Sequence, residues 1–195
     1  MKTDVILISS EGNNMEAALS QIDKLSAYKG LERKNALSLR LLAEEMMAMM
    51  RAITGDVNGE FWVEDQNGTY ELHLRVNSLI DDKRREQLLS ASTSGKNEAS
   101  RGFMGKIRSF FEPYYGVPMF TVGFAGGGSP QMYGSYVWSM EDYREQLRQY
   151  REENRKGAQE AWDELEKSVV SKVADNVKVS IKGSEAELTI IKRMA

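Results

Sequence analysis

The hydrophobic pattern of the first fifty or so residues predicts one strand followed by two helices. The β-branched run DVILISS predicts a strand over residues 4–10. Apolar residues then recur every three or four positions, which predicts a helix from an N-cap at Asn14 to a stop at Gly30. A second helix is predicted over about residues 34–53. Because its apolar residues cover more than half of its circumference, we expect it to be buried on more than one side.

The pattern then changes to a period of two, which predicts a β-hairpin. In the run TYELHLRV, apolar and polar residues alternate, so a strand over residues 69–76 should have one buried and one wet face. Another strand is predicted over residues 60–65. The intervening dipeptide Asn67-Gly68 favours a tight hairpin turn between the two.

An irregular segment and a long helical pattern follow in the second half of the chain. Residues 113–137 are rich in glycine and hold all three prolines, which predicts a long loop, with a strand at MFTVGF. Ser139 is a good N-cap for a helix that is expected to run to about Val173, with a weak point at Gly157.

Two more alternating runs, over residues 176–182 and 186–193, predict a closing β-hairpin. The elements together predict an α+β fold, a two-layer sandwich in which an antiparallel or mixed sheet of about five strands is covered by helices on one face. We expect helices 34–53 and 102–111 to pack on that face. The whole chain, residues 1–195, is expected to form a single domain.

Composition narrows the class of protein further. A 41% apolar content is sufficient for a core at this length, and the net charge of −3 gives no electrostatic reason to expect nucleic acid as a partner. No apolar run approaches the roughly 20 residues of a membrane span. The absence of cysteine from the sequence excludes disulfides and thiolate metal sites. These features predict a cytoplasmic protein that binds neither membrane nor nucleic acid.

The stretch STSGKNEASRGFMGKI, residues 92–107, is the main candidate for ligand binding. Small, polar and basic residues lead into the helix predicted over 102–111, and the N-terminus of a helix favours an anion. The stretch therefore predicts a phosphate-binding loop, and a solvated turn capped by Ser100 is the alternative. The candidate binding residues in it are Ser94, Gly95, Lys96, Asn97, Arg101, Gly102, Phe103, Gly105 and Lys106.

Two adjacent carboxylates, Glu44 and Glu45, lie within the second predicted helix. One of them must lie close to the apolar face, where a carboxylate needs a cation, an ion pair or hydrogen bonds. One of the two therefore has such a partner, and the simplest is a salt bridge to a nearby Lys or Arg. The single histidine, His73, cannot supply a multi-histidine metal site, and no metal site is predicted.

The order of elements resembles the ATP-binding fold shared by gyrase, histidine kinases, mismatch-repair ATPases and bacterial anti-sigma-factor serine kinases. GLERKNALSLRLLAEEMMAMMRAITGD resembles the turn and acidic long helix of the anti-sigma type. STSGKNEASRGFMGKI is similar to its lid and second glycine box, and VKVSIKGSEAELTIIKR to its closing strands. The chain thus resembles a divergent bacterial member, with residues 1–112 and 174–195 as an ATPase-like core and 113–173 as an insertion.

This resemblance implies binding of ATP or ADP, with Asn77 near the adenine-recognising position and Thr189 of the closing strand among the nucleotide-binding residues. It also implies that Glu45 or Glu44 stands in the place of the family's catalytic acidic residue. Two family motifs are degenerate. The first glycine box is replaced by VNSLIDD, and the Asn that holds Mg²⁺ four residues after the acidic residue is replaced by Met49 or Ala48. Because Mg²⁺ requires oxygen ligands, we expect magnesium-dependent phosphoryl transfer to be impaired.

Two functions remain open from the sequence. The first is a nucleotide-binding regulatory protein of the anti-sigma kinase type, with weak or no ATPase activity. The second is a non-catalytic interaction module that keeps the fold without binding ATP. Either would act on a regulatory protein partner or on a second copy of the chain.

Overall fold

The computed structural model describes residues 1–9, 12–54, 58–77, 136–182 and 185–194. The strands are β1 (Ile6–Ser9), β2 (Asn58–Gln66), β3 (Thr69–Asn77), β4 (Tyr136–Ser139), β5 (Asn176–Lys182) and β6 (Glu185–Arg193). The helices are α1 (Met15–Tyr28), α2 (Arg33–Thr54), α3 (Met140–Glu152), α4 (Ala158–Lys167) and α5 (Val169–Val173). The helix predicted over 102–111 and the strand predicted at MFTVGF lie outside the described residues.

The strands form one open sheet in the order β1-β2-β3-β6-β5-β4, and every neighbouring pair is antiparallel. The predicted α+β class is confirmed, and so is the prediction that the closing hairpin joins the same sheet as the first one. Of the two sheet types that the sequence left open, antiparallel and mixed, the described residues form the antiparallel one. The count of about five strands is not confirmed, because the described sheet has six. The additional strand, β4, begins at Tyr136, where the sequence pattern predicted the end of a loop.

The two faces of the sheet differ in chemistry, as the alternation of side chains predicts. The inner face carries apolar residues such as Phe61, Leu72 and Ile190, which are 0% exposed. Every described helix contributes at least one side chain to the core that covers this inner face. The outer face is polar and carries charged residues of the central strands β2, β3 and β6. Residues 136–173, the described part of the insertion predicted over 113–173, supply β4 to the same sheet and Met140 to the same core.

Local signals set several element ends. Gly30 has a φ of +62° and follows the last turn of α1, where the Leu31 N–H donates to the Ser26 carbonyl at 3.0 Å. Ser139 caps α3 as predicted, since its side-chain oxygen accepts from the Asp142 N–H at 3.1 Å.

The predicted start of α1 directly after Asn14 is confirmed, but Asn14 makes no side-chain cap, and its amide nitrogen instead donates to the Leu7 carbonyl at 2.9 Å. The prediction of one helix from Ser139 to about Val173 was wrong, because this segment is divided into α3, α4 and α5. The weak point predicted at Gly157 is confirmed, since Gly157 lies in the first break. The first break contains Asn154 and Gly157, which have positive φ angles of 52° and 82° that an α-helix does not allow.

Candidate functional site

The predicted phosphate-binding stretch lies outside the described residues, so its placement stays a prediction. This applies to Ser94, Gly95, Lys96, Asn97, Arg101, Gly102, Phe103, Gly105 and Lys106. The structure does describe Glu44, Glu45 and Thr189, together with the backbone of Asn77.

Residues 78–135, which contain this stretch, begin and end at one end of the sheet. Asn77 is the last residue of β3 and pairs with Glu185, and Tyr136 is the first residue of β4 and pairs with Ile181. Ile181 pairs in turn with Ala186, the residue next to Glu185. Asn77 and Tyr136, which flank the segment, therefore lie at the same end of the sheet. The strand that follows α2 in the sequence also begins at this end of the sheet: β2 starts at Asn58, and its next residue, Gly59, pairs with Val76, the neighbour of Asn77. In this sense α2 leads to the same end of the sheet.

Glu44 forms the salt bridge that the sequence left open as an alternative. Its carboxylate lies 3.2 Å from Nε of Arg40, one turn earlier on α2, and its side chain is 46% exposed. The same guanidinium contacts the carboxylate of Asp23, so Arg40 links α2 to α1. Glu44 is therefore satisfied at the surface of the helix layer.

Glu45 is half-buried and makes no hydrogen bond or ion pair among the described residues. Its neighbours along the helix, Met46 and Met49, are 0% and 1% exposed and belong to the core. Of the two carboxylates, Glu45 is therefore the stronger candidate for a functional role. Met49 offers no oxygen beside it, as the sequence already indicated.

Thr189 and the two glutamates of α2 lie on opposite sides of the sheet. The neighbours of Thr189 in β6, Leu188 and Ile190, face the core that α2 helps to form. The side chain of Thr189 therefore points to the outer face, where its Oγ1 lies 3.3 Å from Nδ1 of His73. The structure does not bring Thr189 and Glu45 into one site.

The outer face instead carries a polar cluster that the sequence analysis did not find. We name Trp62, Glu71, His73, Arg75 and Glu187 the outer-face cluster. The imidazole of His73 stacks on the indole of Trp62, with ring centroids 4.8 Å apart and planes 3° from parallel. Glu187 accepts from Nε and one Nη of Arg75 at 3.1 and 3.0 Å, and its other oxygen lies 3.0 Å from Nδ1 of His73. Trp62 and Arg75 also contact each other, with the guanidinium carbon 5.0 Å from the ring centroid.

These contacts shift the acidity of two carboxyl groups. The pKa of Glu187 lies below its ordinary value, first because His73 hydrogen-bonds to it and then because Arg75 does. The pKa of Glu64, beside the cluster, is also lowered, mainly by a hydrogen bond from the Trp62 indole and by Lys2. These hydrogen bonds therefore favour the ionised form of Glu187 and Glu64.

Two open cavities lie away from the outer-face cluster, around helices α3 and α4. The larger, about 680 Å³, is lined by Arg144, Trp162, Asp163, Leu165, Glu166, Lys167, Ser171 and Lys172. The other, about 560 Å³, is lined by Arg148, Arg151, Glu152, Asn154, Arg155, Ala158 and Gln159. Arg148 and Arg155 in the smaller cavity are already paired with Glu145 and Glu153.

Comparisons with known proteins add no identification. No protein-family model matches the chain, and no curated protein matches its sequence. Across the part of the chain that the structure describes, no group of three or more His, Cys, Asp or Glu side chains is arranged to hold a metal ion. None of the described helices is long and apolar enough to cross a membrane.

Proposed function

We propose that the chain is a nucleotide-binding regulatory domain that holds ATP or ADP through its phosphates and transfers the phosphoryl group poorly or not at all. The proposal takes its nucleotide from the resemblance to the anti-sigma-factor serine kinases. Lys96, Arg101 and Lys106, with the backbone N–H groups of Gly102 and Phe103, would hold the phosphates by charge-assisted hydrogen bonds.

The observation that carries the proposal is the anchoring of residues 78–135. The segment that contains the basic and glycine residues leaves and rejoins the sheet at the end to which α2 leads. Glu45 lies on that helix, is half-buried and has no hydrogen-bond or ion-pair partner within the described part of the chain. This arrangement supports a site between α2 and the segment, as the family resemblance implies.

The residues present fit a nucleotide better than they fit a magnesium ion. Met49, in the position of the family's Mg²⁺-binding Asn, is 1% exposed within the core and offers no oxygen. A metal bound with the nucleotide would supply charge neutralisation between the phosphates. In its place, the basic residues of the segment would balance the phosphate charge, which suits binding without hydrolysis.

Calorimetry with ATP and with ADP tests the proposal, each nucleotide being titrated with and without Mg²⁺. We expect binding that is nearly independent of Mg²⁺, and a melting temperature raised by roughly 5–10 °C at a nucleotide concentration of about 100 Kd. The double substitution Lys96→Ala with Arg101→Ala should weaken binding by at least about a hundredfold, since each charge-assisted hydrogen bond contributes about 1.5–3 kcal/mol.

A matched control is available on the helix layer. Lys24→Ala with Arg33→Ala removes the same two charges from exposed positions on α1 and α2 and should leave the affinity unchanged. Wild-type protein that binds neither nucleotide at millimolar concentration would refute the proposal. Equal weakening in both double variants would mean that net charge, and not a phosphate site, governs binding.

One structural observation favours the alternative of a non-catalytic interaction module. β1 and β4 are the edge strands of the described sheet, and each exposes a large apolar side chain on the outer face. Leu7 and Val137 are both 63% exposed. Exposed apolar edge strands pair readily with another chain, so this alternative predicts association through the sheet edges.

A further inference from the structure

The turn between β2 and β3 contains a dipeptide that can modify itself. Asn67 and Gly68 form the two-residue loop, and Gln66 pairs with Thr69 directly across it. Asn67 is exposed at the tip of this loop. An asparagine that precedes glycine is prone to lose its side-chain amide without an enzyme, because glycine has no side chain to hinder attack by its own backbone nitrogen.

The reaction is a deamidation through a cyclic imide. The Gly68 N–H gives its proton to a base of the solvent, and the nitrogen attacks Cγ of Asn67. A bond from Cγ to this nitrogen forms, the bond from Cγ to Nδ2 breaks, and the amide nitrogen takes up a proton and leaves as ammonia. Water then opens the imide at Cγ to give aspartate, or at the backbone carbonyl to give isoaspartate. The sum is one water consumed and one ammonia released, with no oxidation or reduction.

The attacking nitrogen is engaged in this structure by a neighbouring carboxylate. The Gly68 N–H donates to Oδ1 of Asp65 at 3.1 Å. Asp65 is 7% exposed, so water competes poorly for this hydrogen bond. Loss of the Gly68 proton would also place a second negative charge beside the carboxylate, which is unfavourable. The contact with Asp65 therefore opposes the first step of the deamidation.

Asp65 is itself fixed by a helix that is remote from the turn in the sequence. Its other oxygen, Oδ2, lies 2.5 Å from Nζ of Lys29, which directly follows α1. The hydrogen bond with Lys29 is the main reason why the pKa of Asp65 is lowered, so the carboxylate is kept as an acceptor for the Gly68 N–H. The two oxygens of Asp65 thus connect the end of α1 to the attacking nitrogen.

We propose that Asn67 is a site of spontaneous deamidation, and that Asp65, held in place by Lys29, keeps the reaction slow by engaging the Gly68 N–H. The turn becomes reactive when α1 moves away from it, because Asp65 then loses the partner that fixes its position. Deamidation at Asn67 therefore marks copies of the protein in which this helix has separated from the turn.

The product alters the turn permanently. Isoaspartate at position 67 adds one backbone carbon to a loop that has only two residues, which changes the spacing between Gln66 and Thr69. The loop also contacts the end of β6, because the Met194 N–H donates to the Gly68 carbonyl at 2.8 Å. A lengthened loop is expected to disturb both pairings.

The chain contains an internal reference for this reaction. Asn58-Gly59 is the second Asn-Gly dipeptide in the sequence, and it lies at the start of β2. Gly59 is buried and pairs with Ile8 of β1 and Val76 of β3. Its position in the sheet does not depend on Asp65, so Asn58 reports opening of the sheet as a whole.

Mass spectrometry of the folded protein, incubated in mildly alkaline buffer, tests the proposal. Fragmentation of the digested chain locates the deamidated asparagine. We expect Asn67 to react more slowly in the wild-type protein than in the free peptide EDQNGTY, residues 64–70. In Asp65→Ala, the rate at Asn67 should rise roughly tenfold to a hundredfold, the factor for losing a hydrogen bond to a charged acceptor, while the rate at Asn58 stays unchanged. Wild-type protein that reacts as fast as the peptide would overturn the proposal.

Lys29→Met is the matched control, since it removes the same ion pair and keeps Oδ1 of Asp65. Its acceleration at Asn67 should be smaller than that of Asp65→Ala. Equal acceleration in the two variants, or equal acceleration at Asn58 and Asn67, would assign the protection to general stability and overturn the role of Asp65.

Amide hydrogen exchange in the wild-type protein decides the question if Asp65→Ala does not fold. The proposal requires the Gly68 N–H to exchange more slowly than the same amide in the free peptide, and equal exchange rates would overturn it. None of these outcomes depends on whether the chain binds a nucleotide.

Discussion

At the scale of single residues, buried charge is matched by specific partners. Asp65 is 7% exposed, and its carboxylate lies 2.5 Å from Nζ of Lys29 while also accepting the Gly68 N–H at 3.1 Å. The hydrogen bond with Lys29 is the main reason why the pKa of Asp65 is lowered and that of Lys29 is raised. The ion pair connects the end of α1 to the β2–β3 turn, which neither sequence segment indicates by itself.

The carboxyl groups with lowered pKa values predict a loss of stability in acid. Glu64, Asp65 and Glu187 have a lower pKa in the folded than in the unfolded chain. Their stabilising contribution is therefore complete above the ordinary carboxyl pKa of about 4 and is lost as the pH falls through the folded-state values. The urea midpoint should fall between pH 7 and pH 3. In Glu187→Gln the urea midpoint should fall less between these two pH values than in the wild type, and in the control Glu160→Gln it should fall as much. If both variants show the wild-type fall, Glu187 does not contribute to the acid sensitivity.

At the scale of elements, the first hairpin turn and the cap of α3 followed the local sequence closely. The Asn67-Gly68 dipeptide forms the predicted hairpin turn, with positive φ angles of 53° and 84°. Ser139 caps α3, and Trp138 packs against Tyr143 with ring centroids 6.0 Å apart, as a hydrophobic staple predicts. Caps and turns depend on a few adjacent residues, and this is why the sequence shows them.

Replacing two glycines with alanine separates backbone strain from steric contact. Gly68 has a positive φ, and a Cβ added there would lie 3.0 Å from the Met194 carbonyl oxygen. Gly30 also has a positive φ, but an added Cβ would meet nothing within 4 Å. We expect Gly30→Ala to lower the free energy of unfolding by roughly 1–2 kcal/mol, the cost of a left-handed alanine, and Gly68→Ala to lower it further. Chemical denaturation measures both, and equal losses would show that the Met194 contact is irrelevant.

At the scale of the whole molecule, the open sheet leaves two edges in the described structure. If the edges serve as an interaction surface, sedimentation equilibrium should show self-association that increases with protein concentration and is weakened by Leu7→Lys. Leu37→Lys is the matched control, because Leu37 is 56% exposed on α2, in the helix layer. If the wild-type protein stays monomeric at the highest concentrations, a homodimer is excluded. If both substitutions weaken self-association equally, the sheet edge is excluded as the contact surface.

The sequence by itself determined the spacing of the apolar residues. This spacing identified β1, α1, α2, the strands of both hairpins and the start of α3. It also predicted the polar face of β3 on which His73 lies. Only the tertiary structure decided that β4 joins the sheet, that Thr189 faces away from Glu45, and that His73 meets Glu187, 114 positions along the chain. The physical reason is that hydrophobic period and turn chemistry are local, whereas contacts across a sheet depend on strand order and register. Those are fixed by packing the complete core, which no single segment contains.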